Sequence, residues 1–205
     1  YISFIISGSI RILKLNNNYD LIFIYEPSPL TVAIPAILKS KFIKKPSLLW
    51  VTDLWPESVT ETIESSRLVK KIIYNLLNPV VRFIYKKVDK ILVTSKAFIP
   101  SIEKYGIEKK GIDYFPQWAE TMFKPINIKN KLLDKIKNNS FKIMFAGNLG
   151  EAQDFPSILE AAKILKEHKL IQWIILGDGR KKEWIENKIN DYGYEKCFHL
   201  FGSHS

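Results

Sequence analysis

The chain is poor in the residues that build covalent or metal-held scaffolds. A single cysteine, Cys197, stands among 205 residues, so no intrachain disulfide can form. That fits a reducing cytoplasm, and Cys197 reads as a small apolar residue near a strand. Three histidines, His168, His199 and His204, fall at no ligand spacing, which leaves no zinc site in view. No Asp-x-Asp is suited to a magnesium–diphosphate. Neither the P-loop Gly-Lys-Ser/Thr nor a G-x-G-x-x-G after a strand occurs. Long apolar runs are missing too: Tyr1 to Leu15 is broken by Ser3, Ser7, Gly8, Arg11 and Lys14, and reads as neither a signal peptide nor a membrane span. Acid is short against base, 21 residues against 31, for a net charge of +10. The excess is uneven, +7 over residues 1–119 and +3 over residues 120–205. A basic surface favours anionic partners (nucleic acid, acidic lipid or nucleotide phosphate) without choosing among them.

What is present is ordinary globular composition, 46% hydrophobic and 25% charged, arranged as strand-like runs alternating with helical stretches. That rhythm predicts βαβ units and parallel sheets. Strands are expected at Leu21–Tyr25, buried on both faces, Ser47–Val51, Lys90–Thr94 and Ile112–Phe115. Helices are expected at Thr31–Lys41, Arg67–Lys87 and Lys96–Tyr105, the first containing Pro35 and the second Pro79. Residues 116–128 hold two prolines and no period, and read as an interdomain linker. The alternation then restarts: a short helix over Lys129–Lys137, strands at Lys142–Ala146, Gln172–Leu176 and Phe198–Phe201, helices at Phe155–His168 and Arg180–Tyr192. Tyr1–Leu15 opens inside an amphipathic pattern without an initiator methionine, and the chain stops just after a strand. Both ends read as cuts from a longer protein.

Two polar loops follow strands in the second half. In Phe145-Ala146-Gly147-Asn148-Leu149-Gly150 the glycines let backbone N–H groups approach an anion near a helix N-terminus, although glycines also make ordinary turns. In Leu176-Gly177-Asp178-Gly179-Arg180 the next strand ends the same way, and ligands of open α/β sheets sit beyond such carboxyl ends. Arg180 and Lys181 are placed to neutralise a diphosphate. Alternatively, Asp178 caps the next helix and Arg180 and Lys181 are a solvated face. In the first half, Asp53 and Glu57 flank Trp55-Pro56 just past Ser47–Val51. There, carboxylates bind sugar hydroxyls or move a proton, or else cap a helix.

Asp53–Ser58 (DLWPES), Phe145–Gln153 (FAGNLGEAQ), Ile175–Arg180 (ILGDGR) and Leu200–Ser203 (LFGS) stand in the order and spacing of glycosyltransferase family 4. The chain resembles the bacterial O-antigen and capsule branch that is similar to N-acetyl-L-fucosamine transferases. The resemblance covers nearly the whole chain. It implies a GT-B fold of two Rossmann-like domains with parallel sheets, both incomplete here. Residues 1–115 would be the C-terminal part of the acceptor domain, 116–128 the linker, and 129–205 the N-terminal part of the donor domain. It implies a retaining transfer from a nucleotide-sugar, of UDP-N-acetylhexosamine type, to a polyprenyl-diphosphate-linked or other glycan in surface polysaccharide synthesis, with no metal or other cofactor. Asp53 and Glu57 would be catalytic, with Asp53 facing the interdomain cleft. The donor would contact Gly147, Asn148, Gly150, Gln153, Asp178, Gly179, Arg180, Lys181, Ser203 and His204, the last two at the nucleobase. The carry-over is uneven. Thr52-Asp53 replaces the family's His-Asp. Asn148 and Gln153 stand where many members carry Arg and Lys, so backbone amides with Arg180 or Lys181 must hold the diphosphate. The acidic E-x7-E element is expected beyond Ser205, so residues 1–205 alone are expected to be inactive.

Two rivals remain. A GT-B sugar-nucleotide epimerase would lack E-x7-E after Ser205. A non-enzymatic basic module for lipid or nucleic acid would bind RNA with a steep salt dependence, but the aromatics do not interleave with Lys and Arg as such binding needs, so no nucleic-acid partner is expected. From Arg67 to Lys87, Arg67, Lys71, Asn75, Asn78, Arg82 and Lys86 form one polar stripe, Lys70 and Lys87 add charge, and no acid interrupts residues 65–88. The remaining apolar residues of that helix are expected to pack on the sheet. The stripe is either a plain solvated face or a site of attraction to anionic lipid. The second reading predicts a cytoplasmic protein held peripherally at the inner face of the plasma membrane, with no spanning segment.

Overall fold

The computed structural model describes residues 2–63, 65–125, 136 and 139–204. The chain divides into two compact units, Tyr1–Phe123 and Lys124–Ser205. The helix expected over Lys129–Lys137 and the end of the expected linker, 126–128, lie outside the described residues apart from Ile136.

In the first unit, strands β1 (Ile22–Glu26), β2 (Ser47–Val51), β3 (Lys90–Val93) and β4 (Ile112–Tyr114) form one parallel sheet in the order β1-β2-β3-β4. Helices α1 (Ile2–Lys14), α2 (Ala33–Ile43), α3 (Glu57–Thr62), α4 (Arg67–Lys87) and α5 (Ile99–Glu103) belong to the same unit. Its core joins Leu49, Val51, Ile91 and Val93 of the sheet to Ile84 of α4 and Ile102 of α5, each burial contributing about 1.5–3 kcal/mol. Ser66 caps α4, its hydroxyl accepting from the Val69 amide at 3.5 Å, and α4 runs through Pro79 as the apolar period predicts. Asp89 ties the end of α4 to β2, accepting from the Ser47 amide at 2.8 Å and the Ser47 hydroxyl at 2.9 Å. Partial burial opposes ionisation of Asp89, but these bonds and Lys41 hold its carboxyl below the usual range.

Several expectations need correction. β1 is not buried on both faces. Ile24 and Glu26 face the core, whereas Phe23 and Tyr25 are about half exposed on the opposite face. The strand pleat alternates sides, and on the side away from the core Phe23 and Tyr25 lie against the Trp50 ring at 6.1 and 5.4 Å between centroids. The sequence pattern gives no sign of α3: Val59, Thr60 and Thr62 are β-branched and the helix is too short to show a period. Thr60 and Thr62 return their hydroxyls to backbone carbonyls of the same segment. The helix expected from Thr31 begins with a 3-10 turn, Leu30–Val32, before α2. That expected over Lys96–Tyr105 is likewise divided, into a 3-10 turn Lys96–Phe98 and the short α5. Nor do all the apolar residues of α4 pack on the sheet: Leu68, Val69, Ile72, Leu76 and Phe83 are exposed.

In the second unit, β5 (Phe141–Ala146), β6 (Ile171–Leu176) and β7 (Phe198–Gly202) form a parallel sheet in the order β5-β6-β7. Helices α6 (Phe155–Ile164) and α7 (Lys182–Asp191) supply Phe155, Leu159 and Ile185 to a core with Leu149, Ile175 and Phe198. The helix expected to reach His168 stops at Ile164, because the amides of Lys166 and His168 turn back to carbonyls three residues before them. The helix expected from Arg180 begins at Lys182, since Gly179 and Arg180 are spent on the turn that leaves β6.

Candidate functional site

In the second unit the three parallel strands end on one edge, and three loops meet there. The chain leaves β5 at Gly147, whose amide donates to the Leu176 carbonyl at 2.9 Å. Two residues on, the Leu149 amide donates to the Asp178 carbonyl, and the Lys181 amide donates to the Leu149 carbonyl, both at 2.9 Å. The Gly177 amide donates to the Gly202 carbonyl at 2.7 Å. The strand ladder thus continues beyond the strands as a laced set of loops, and Leu149, buried under them, anchors the set in the core. This closeness explains the glycines. A Cβ on Gly177 would collide with the Gly147 carbonyl oxygen, and one on Gly179 would meet the backbone of Leu149 and the Asn148 side chain. The Asn148 amide also lies against Gly150, whose own N–H is taken by the Gln153 side chain at 3.1 Å.

A cavity of about 380 Å³ opens on this edge, lined by Ala146, Gly147, Asn148, Leu176, Gly177, Asp178, Ser203 and His204. Of the ten expected donor residues, five line it: Gly147, Asn148, Asp178, Ser203 and His204. Gly150, Gln153 and Gly179 instead shape the loops behind it. Arg180 is exposed and does not line it. Lys181 pairs with Glu151 and lies over the Trp184 ring, 5.0 Å from its centroid. Asp178 accepts from the Gly179 amide at 2.8 Å and pairs with Lys182 at 3.4 Å, and both hold its carboxyl below the ordinary range. It does not cap α7, whose N-cap is Lys181 with no side-chain bond. His204 meets the Phe201 carbonyl at 2.9 Å.

In the first unit, the loops that leave β1 and β2 are laced together. The Thr52 hydroxyl donates to the Glu26 carbonyl, and the Trp55 indole N–H donates to the Ser28 hydroxyl at 3.1 Å. Asp53 and Glu57 stand in this region, partly buried. Neither caps α3, whose N-cap Pro56 makes no side-chain bond. Beneath them lies a group of acids and phenols that sequence reasoning misses. Glu26, the last residue of β1, is fully buried and neither carboxyl oxygen has a hydrogen-bond partner. Glu57 Oε2, Ser58 Oγ and the hydroxyls of Tyr85 and Tyr105 are likewise buried without partners. Burial, then the nearby Asp53 charge, push the Glu26 carboxyl up to about 8. The backbone amides of Asp53, Thr52 and Ser28 lie close enough to favour its ionised form, but none reaches it with hydrogen-bond geometry. Burial also raises both phenols, followed by Glu26 for Tyr85 and by Glu57 for Tyr105. The available signal is an acid closing an otherwise apolar strand.

Among the described residues, no group of three or more His, Cys, Asp or Glu is placed to hold a metal ion, and no helix is long and apolar enough to cross a membrane.

No family model matches the chain. It is 26% identical over 112 residues to WcaI of Escherichia coli (strain K12), described as a colanic acid biosynthesis glycosyl transferase, a match covering 52% of this chain and 27% of WcaI. Among solved structures, Anabaena Alr3699/HepE in complex with UDP superposes with a TM-score of 0.67 at 13% identity, over 96% of this chain and 52% of that one. A UDP-N-acetylglucosamine 2-epimerase superposes at 0.54 with 10% identity, over 100% and 51%. The chain therefore spans about half the length of these solved proteins. The fold is α/β, with parallel sheets in two groups, as in GT-B glycosyltransferases.

Proposed function

We propose that this chain is part of a glycosyltransferase that takes its sugar from a nucleotide-sugar, with the donor held at the carboxyl edge of β5-β6-β7. The observation that carries this reading is the laced loop set around the 380 Å³ cavity. Three strand ends bring close-packed glycine backbone, Asn148, Ser203 and His204 to one opening, beside the Asp178 carboxylate that Lys182 pairs, as a hydrogen-bonding ligand requires. Lys181, engaged by Glu151 and Trp184, is not the primary phosphate ligand in this reading. The exposed Arg180 would meet the diphosphate instead, since the amides of Gly147, Leu149, Gly177 and Lys181 are already given to the bonds between the loops.

The finer assignment follows the family 4 resemblance. The donor is of UDP-N-acetylhexosamine type and the acceptor a lipid-linked glycan of surface polysaccharide synthesis. The anomeric configuration is retained, and the reaction needs no metal. The first unit takes the acceptor, with Asp53 as candidate catalytic group and Glu57 beside it, and the protein works at the cytoplasmic face of the membrane. The similarity to WcaI and the UDP held by HepE support this reading.

The test is calorimetric titration of the full-length protein with UDP and with ADP, followed by product analysis with UDP-N-acetylhexosamine and a polyprenyl-diphosphate glycan. Preferential UDP binding and sugar transfer are expected. UDP binding with epimerised sugar and no transfer would favour an epimerase, and absence of nucleotide binding would remove the donor site.

A further inference from the structure

Lys181 stands beside the donor cavity and yet does not line it. Its side chain turns to the protein instead. Nζ pairs with Glu151 and lies over the Trp184 ring, and Trp184 packs on the core of the second unit. Only 18% of the lysine side chain is exposed, so it is held in place and is not a solvated face. Its backbone is fixed from both sides as well. The amide donates to the Leu149 carbonyl and the carbonyl accepts from the Ile185 amide, both at 2.9 Å. Glu151 opens the 3-10 turn Glu151–Gln153, directly after the Gly147 to Gly150 loop. The ion pair therefore joins the loop after β5 to the start of α7, whereas the Lys182–Asp178 pair is a local one. Exposed lysine–carboxylate pairs contribute little, because ordering two free side chains offsets their attraction. Here the lysine is already ordered by Trp184 and by its backbone, so the pair forms at less cost in entropy.

We propose that Lys181 and Glu151 are positioning residues, a latch that fixes two walls of the donor cavity at the spacing the nucleotide needs. The proposal rests on the donor-site reading for what the walls bind, and on the ion pair for how they are held. Gly147 and Asn148 belong to one wall, Gly177 and Asp178 to the other. The backbone crosses between the walls at Leu149, whose amide donates to Asp178 and whose carbonyl accepts from Lys181. Two bonds at one residue leave the loop free to pivot there. The side-chain pair adds a tie further along, at Glu151, and stops the pivot. Movement of Glu151 would carry Gly150 with it, and the Asn148 side chain, which lies against Gly150 and close to Gly179, would lose its place. The two roles open to a lysine here predict opposite signs. A phosphate ligand held back by Glu151 would be released when the glutamate loses its charge, and UDP would bind more tightly. A latch would be undone by the same change, and UDP would bind more weakly.

The experiment measures UDP affinity by calorimetry for full-length wild type, Glu151→Gln, Lys181→Met and the double variant, beside thermal melts and hydrogen exchange without ligand. Glu151→Gln keeps the shape of a half-exposed side chain, and Lys181→Met keeps an apolar stem over Trp184, so both variants should fold. Each single change should weaken UDP binding about fivefold. The double change should weaken it no more than either alone, because the pair is one interaction. Without UDP, the amides of Leu149 and Lys181 should exchange faster in Glu151→Gln than in the wild type. Tighter UDP binding by Glu151→Gln overturns the proposal and makes Lys181 a phosphate ligand. Additive losses, unchanged exchange, or a lowered melting temperature with unchanged UDP affinity overturn it as well, the last leaving the pair a plain stabiliser. A wild type that binds no UDP, with the exchange difference intact, overturns the donor reading and leaves the latch standing.

Discussion

Gly177 shows how closely single residues constrain the donor edge. Any Cβ there collides with the Gly147 carbonyl, which is backbone and cannot swing aside. Gly177→Ala should force the loops apart, lowering stability by about 1–3 kcal/mol and UDP affinity about tenfold or more, measured by thermal melts and calorimetry. Glu26 acts through charge instead. Its carboxyl is raised from 4.5 to about 8 in the fold, so the folded state holds a proton that the unfolded chain releases. The stability it contributes is complete below about pH 4.5 and is lost as the pH rises through about 8, with a slope approaching about 1.4 kcal/mol per unit. Asp89 has the opposite sign: its carboxyl is depressed, so its contribution weakens as the pH falls. Denaturant melts should show Glu26→Gln gaining on the wild type between pH 5 and 8; parallel curves would contradict the assigned shift. Asp53→Ala should cut turnover far more than melting temperature, whereas the reverse would mark Asp53 as a purely structural part of its loop. At this scale the sequence is unevenly legible. Glycines at strand ends are visible in the sequence, but they also make ordinary turns, and only the structure shows that Gly177 and Gly179 are there for a close approach of backbone. Glu26 leaves only a faint signal, because burial is a property of the neighbours that cover a residue.

Among the elements, α4 combines two properties seldom found together. Its inward side carries Val81, Ile84 and Tyr85 into the core. Its outward side exposes Leu68, Ile72, Leu76 and Phe83, spaced at four, four and seven residues and so aligned along the helix. Arg67, Lys71, Arg82, Lys86 and Lys87 are exposed among them, and no acid occurs over residues 65–88. The proposed peripheral contact with an anionic membrane surface would use both features, the apolar ridge and the basic side chains. Each Lys or Arg near such a surface contributes about 1 kcal/mol, and the ridge adds burial that salt does not screen. The full-length protein should co-sediment with anionic liposomes and be released only in part by high salt. Charging the middle of the ridge, with Ile72→Glu and Leu76→Glu together, should weaken binding even at low salt. Equal binding to neutral and anionic vesicles, or no effect of the double change, would remove this role from α4. The basic stripe is visible in the sequence, because charge periodicity survives without a structure. The division of the apolar residues between core and surface is not, because periodicity alone does not say how wide a strip the sheet covers.

For the whole molecule, the two units differ in what they can report. The first has its own core around Leu49, Val51 and Ile84, the second around Leu149, Phe155 and Ile175. The alternation of strands and helices foretells both sheets, because a parallel strand buried in a βαβ unit must be apolar and must be followed by a crossover. Strand order and the lacing of loops lie beyond it, since those depend on pairings between residues far apart in the chain, such as Leu149 with Asp178. That lacing makes the donor proposal testable by position. A nucleotide in the cavity lined by Gly147, Asn148, Asp178 and Ser203 must hold the three loops together, because opening any one of them breaks contacts in the others. Saturating UDP should then slow amide exchange in peptides covering residues 146–154, 176–182 and 200–204 as a group. The hydrogen bonds from Gly147, Leu149 and Lys181 should be protected most, since they already join one loop to the next. Ligand at one hundred times its Kd stabilises the binding state by about 2.7 kcal/mol, a slowing of roughly one hundredfold for amides that exchange only when the loops part. Protection confined to one of the three loops would mean that the lacing is not what holds the ligand. Protection of residues 22–60 without these loops would move the nucleotide to the other unit.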